Sequence, residues 1–156
     1  MRVALAALVL LVVLAGCSSG GRRAQDACAS RQLGVFAVTQ GGGGATIGDL
    51  RLRNDSAADC WLRGRAKLAI LDGGGRQLTI RVVSPKRSAM RLSSHGATEV
   101  RFQWHNWCKL TAPAALRLVL PEAGGTIQMK ADIGRPRCDE PRAASTLVIS
   151  PFVAAT

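Results

Sequence analysis

Apolar and polar residues alternate in short runs along most of this chain, and Gly, Pro, Asn, Asp and Ser separate the runs. A period of two marks a half-buried strand, whereas a helix repeats its apolar positions every three to four residues. Residues 33–38 (LGVFAV) open the series, and the glycines at 41–44 connect them to residues 46–54 (TIGDLRLRN). In that second run Leu50 and Leu52 face one way while Asp49, Arg51 and Arg53 face the other. Asn54-Asp55-Ser56 ends it with side chains suited to bonding their own backbone in a turn. Residues 60–62 (CWL) begin the next unit, residues 67–71 (KLAIL) are apolar enough for a buried strand, and Asp72-Gly73-Gly74-Gly75 is a turn. Residues 77–83 (QLTIRVV) place Leu78, Ile80 and Val82 on one face, residues 89–92 form a short edge piece, and residues 99–104 (EVRFQW) point Val100, Phe102 and Trp104 inward. Runs at 116–120, 126–130 and 146–152 complete the set, the last broken by Pro151. Turn signals every ten residues or so predict an all-β domain, an immunoglobulin-like antiparallel β-sandwich, with a closed barrel as the alternative.

The pattern differs before the first strand. One basic residue, Arg2, precedes an uncharged run from Val3 to Gly16 made almost wholly of Ala, Val and Leu. This run falls short of the ~20 apolar residues that cross a bilayer, and a basic start with small residues at the end marks an export leader. Its end, Leu14-Ala15-Gly16-Cys17, resembles a bacterial lipobox. That resemblance implies a diacylglyceryl group on the Cys17 sulfur and cleavage before Cys17. The expected organisation is a lipoprotein signal peptide at 1–16, a lipidated N-terminus and flexible tether at 17–27, and the β-sandwich at 28–156. The expected location is the extracytoplasmic side of the cell membrane, held by lipid.

Assigning Cys17 to lipid explains the odd cysteine count. Cys28, Cys60, Cys108 and Cys138 remain, an even set in a compartment where disulfides persist. Of the three connectivities open to four cysteines, Cys28–Cys60 and Cys108–Cys138 join near neighbours in sequence and are favoured. A four-thiolate metal site does not fit, because no two of these cysteines form a CxxC pair.

The formal net charge is +11, and cleavage after residue 16 would remove only Arg2 from the basic residues, leaving +10. A basic domain on a membrane attracts anionic headgroups and phosphate-bearing wall polymers. An exported address argues against nucleic acid as a partner. The expected partners are the membrane through Cys17 and an anionic cell-wall polymer or an extracytoplasmic protein, with the domain as a monomer.

Several segments carry a family resemblance: Cys28 followed by Leu33, LRLRN at 50–54, CWLRGRAKLAILDGGG at 60–75, LSSHGATEVRFQWHNWC at 92–108, Cys138 and the terminal LVISPF. Over residues 28–153 the chain resembles a family of small actinobacterial secreted proteins and lipoproteins whose shared domain has no assigned function. The resemblance implies an immunoglobulin-like sandwich with the same two bridges, and no catalytic residues. Arg65-Ala66 departs from it, standing where the family commonly has an aromatic-Pro step.

Candidate chemistry is sparse. There is no GxSxG elbow. His95 lies in a glycine turn, His105 follows Trp104, and Glu99 is the only carboxylate in their segment. The other carboxylates are scattered, which leaves a cell-envelope hydrolase the weakest reading. No cofactor, metal or enzymatic activity is expected. Trp61 and Trp104 are expected to pack in the core beside the bridges. Trp107, with His105, Asn106 and Lys109, is the candidate binding patch for a sugar or a protein. The resulting expectation is a non-catalytic, membrane-anchored lipoprotein that presents a binding or scaffolding domain. The alternative is an adapter or inhibitor of one exported protein.

Overall fold

The computed structural model describes residues 27–42 and 44–155. The expected leader, the expected lipidation of Cys17 and the expected tether up to residue 26 lie outside the described residues. Two glycines extend β1 (Leu33–Gly42), which pairs antiparallel with β2 (Ala45–Asn54). There follow β3 (Cys60–Gly64), β4 (Lys67–Asp72), β5 (Arg81–Val83), β6 (Ser88–Leu92), β7 (Ala97–His105), β8 (Pro113–Val119), β9 (Thr126–Lys130), β10 (Thr146–Ile149) and β11 (Val153–Ala154).

One layer is a sheet in the order β1-β2-β7-β10-β5, with β11 also paired to β7. The other layer holds β4-β8-β9 and the hairpin-like pair β3-β6. Alternation explains what lies between them. Register sets Leu50 opposite Val100 and Trp104 opposite Leu147 on the inner face of the first sheet. Leu68 opposite Leu118 and Ile70 opposite Leu116 do the same from the second layer. All of these belong to one buried apolar cluster. Each such side chain contributes about 1.5–3 kcal/mol when fully buried. Gly48 faces Phe102 across the β2–β7 pair, and a Cβ there would lie 2.3 Å from the ring, so glycine makes room for the largest inward aromatic after Trp104. The fold is the expected immunoglobulin-like antiparallel sandwich. A barrel does not form, because β1 and β5 end the larger sheet without pairing to each other.

Both bridges join the expected partners, Cys28–Cys60 and Cys108–Cys138. The first is buried, while in the second Cys138 is exposed.

Three expectations are corrected. Residues 77–83 do not form one strand with Leu78, Ile80 and Val82 on a common buried face. Gln77 and Leu78 bond to the β4 end of the second layer, whereas Arg81–Val83 pairs in parallel with β10 in the first. Changing sheets rotates the chain between those points, so Leu78 is buried and Val82 is exposed. Of residues 146–152 only Thr146–Ile149 form a strand, β10, and pairing resumes beyond them in β11, because Pro151 has no N–H to give a ladder and Ser150 instead exchanges bonds with Arg101. Trp61 is not a core residue. Cys60 and Leu62 point inward on β3, so the residue between them points out, where it is half-buried with the Arg63 guanidinium 4.6 Å above its ring.

Candidate functional site

The nine residues of β7 separate two ends of the sandwich by about 30 Å. At one end Ala97 pairs with Arg53, and Leu33 lies opposite Asn54. At the other His105 pairs with Ala45 and Thr146. His95 and His105 flank this strand at opposite ends, so they cannot share a metal. Glu99, in mid-strand, is ion-paired to Arg101. Among the described residues no group of three His, Cys, Asp or Glu side chains is placed to hold a metal ion.

The candidate patch lies at the His105 end. Asn106 takes a left-handed conformation (φ 60°), which asparagine tolerates better than most residues. Its amide donates to the carbonyls of Glu140 and Ala143, both at 2.9 Å, and its Oδ1 accepts from the Glu140 N–H. That clamp holds the 138–143 segment beside the Cys108–Cys138 bridge and fully engages the Asn106 side chain. Trp107 is half-buried against the edge of the core, and its Nε1 donates to the Thr111 carbonyl. The Arg135 guanidinium sits 5.2 Å from the centre of its ring. Lys109 is exposed. His105 and Asn106 share a small cleft of about 280 Å³ with Gly44, Asp139, Glu140 and Thr146. Trp107 lies outside that cleft, so the patch consists of a cleft and a neighbouring aromatic–arginine stack.

Two carboxylates have perturbed titration, and both shifts are downward. Asp72 accepts backbone N–H bonds from Arg76 and Gly74 and a side-chain bond from Arg76 across the glycine turn, which holds its pKa below the ordinary value. Asp59 is lowered by the Ser94 N–H and then by Arg91. Both are ionised turn staples, the opposite of a carboxyl kept protonated for acid catalysis.

A larger feature leaves little trace in the sequence. A cleft of about 660 Å³ is lined by Arg63, Arg65, Lys67, Arg87, Ser88 and Glu122. Its shape depends on Gly64, which ends β3 at φ 139°, where a Cβ would come within 2.8 Å of Pro121. The alternation of Arg63, Arg65 and Lys67 was the visible signal. Arg87 and Ser88 join them only through the pairing of Gly64 with Ser88 between β3 and β6.

A family profile described as Domain of unknown function (DUF4232) matches residues 28–152. No curated protein and no solved structure matches the chain.

Proposed function

The chain belongs to this family of unknown function, which brings no activity with it, and we propose that the protein is a non-catalytic, lipid-anchored binding module of the cell envelope. The observation that carries this reading is the Trp107 end. There a disulfide and the Asn106 clamp hold an arginine-capped tryptophan beside exposed Lys109. An aromatic face with cations around it suits a sugar–phosphate polymer: the ring stacks on the sugar and the cations meet the phosphates. The anchor would be diacylglycerol on Cys17, and the two bridges in the domain fit an oxidising compartment outside the cytoplasm.

Retention of the purified protein on anionic cell wall tests the ligand. It should fall steeply as salt rises, because exposed charge pairs are screened, and it should fall again in Lys109→Glu and Arg135→Glu. Both side chains are on the surface, so these variants should keep the fold. Retention indifferent to salt and to both substitutions would remove the polymer. The anchor is tested by labelling with radioactive palmitate: Cys17→Ala should abolish the label and release the protein from membranes.

The adapter reading keeps one observation of its own. Phe36, Val38 and Ile47 are exposed on the outer face of β1 and β2. Salt-resistant capture of a single exported protein, lost in Phe36→Ser, would favour it.

A further inference from the structure

We infer that the basic cleft between β3, β6 and the turn after β8 docks the phosphates of anionic lipid headgroups, holding the anchored domain with its Trp107 end away from the membrane. The cleft carries four cations, Arg63, Arg65, Lys67 and Arg87, against one carboxylate, Glu122. That carboxylate lies 3.9 Å from Arg63, which is also stacked on Trp61. Arg65, Lys67 and Arg87 are exposed and form no ion pair with the described carboxylates. Three like charges around one concavity repel one another, and a phosphate between them converts that repulsion into attraction. Ser88 lines the same cleft, and its buried Oγ has no hydrogen-bond partner. A buried hydroxyl without a partner is unfavourable, and a rotation of the Ser88 side chain into the cleft would let it donate a hydrogen bond to a phosphate oxygen.

The position of the cleft selects the membrane as the source of that phosphate. The described chain begins at Ala27, which bridges to Trp61, and the Cys28 N–H donates to the Trp61 carbonyl. Arg63 is two residues further along β3, about 7 Å away. The turn that walls the cleft at Pro121 and Glu122 also holds the start of the chain, since the Ser30 N–H donates to the Gly124 carbonyl at 2.7 Å. The cleft and the start of the domain are therefore one end of the molecule. Cys17 and Ala27 can be separated by at most about 35 Å, so a lipid on Cys17 keeps the cleft within that reach of the bilayer and at high local concentration beside it. The Trp107 patch lies at the other end of β7. This inference shares only the Cys17 anchor with the function proposed above.

The test reconstitutes the mature lipoprotein on phosphatidylcholine vesicles with and without phosphatidylglycerol, and measures lysine acetylation by mass spectrometry. Lys67 reports on the cleft and Lys109 on the far end. Lys67 should react several-fold more slowly on phosphatidylglycerol, the protection should vanish at ~0.5 M salt, and Lys109 should react equally on both. The double variant Arg65→Glu, Arg87→Glu, with an unchanged melting curve, should show no protection. Equal Lys67 rates on the two vesicles, or equal protection of Lys109, would overturn the proposal. Protection on neutral vesicles by a soluble poly(glycerol phosphate), without protection by phosphatidylglycerol, would overturn it in favour of the wall polymer. Failure to float with pure phosphatidylcholine vesicles would overturn the anchor alone, since protection on phosphatidylglycerol vesicles still decides the cleft.

Discussion

Replacing Asn54 by alanine should destabilise the domain by about 3–4 kcal/mol. Asn54 closes β2 and is fully buried. Its amide nitrogen donates to the Ala58 carbonyl at 2.7 Å and the Ser93 carbonyl at 3.1 Å. Its Oδ1 accepts from the Ser56 N–H and, at 2.7 Å, from the Ser56 hydroxyl. Four bonds at roughly 1 kcal/mol each set the scale. Full desolvation penalties do not apply, because the Ser56 hydroxyl, released from Asn54, can turn its single proton to the Ala58 carbonyl, and the Ser93 carbonyl keeps the Gly96 N–H. Urea unfolding followed by tryptophan fluorescence is the assay. With a slope of about 2 kcal/mol per molar urea the midpoint should fall by about 1.5–2 M. Asn54→Asp gives a second, signed readout. It turns an acceptor oxygen toward the Ala58 and Ser93 carbonyls, which disfavours the carboxylate and raises its folded pKa. The native state then holds the proton, so the deficit is smallest below the unfolded value of about 3.9 and grows as pH rises through the folded value. A loss below ~1 kcal/mol in Asn54→Ala, or an Asn54→Asp deficit that does not change with pH, would refute the account of this turn as an amide-held junction.

The two bridges should differ in kinetics more than in energy. Their separations of 32 and 30 residues imply nearly equal stabilisation, about 3.5 kcal/mol each in the chain-entropy model. Under native conditions, however, a mild reductant followed by alkylation and mass spectrometry should label Cys108 and Cys138 first, and Cys28 and Cys60 only on global unfolding. In acid, the lowered carboxylates Asp59 and Asp72 contribute stability that is present above the unfolded value of about 3.9 and lost as pH falls through their lower folded values. Thermal melts of the double variant Asp59→Asn, Asp72→Asn should therefore show a shallower acid limb than the wild type, while the two proteins run parallel above pH ~5.

What could be read from the sequence follows from how local the causes are. Leu50 and Leu52, or Val100, Phe102 and Trp104, announce their face because a strand has period two and each run stays within one sheet. Residues 77–83 mislead because the chain leaves β4 for β10 partway, and no residue in the run marks the change of sheet. At Trp61 two local signals disagree: adjacency to Cys60 favours the core, whereas alternation places the ring outside. The Asn106 clamp could be anticipated only as an asparagine suited to a turn, since its two partners, Glu140 and Ala143, lie 34 and 37 residues away. The basic cleft is the least local of all. Arg63, Arg65 and Lys67 read as ordinary outward arginines and lysine until β3 pairs with β6 and the turn at Pro121 closes the side. Its charge was visible in the composition, but its concentration at the end where the domain begins comes from strand pairing. For that reason the surface most open to test was the one the residue pattern could not locate.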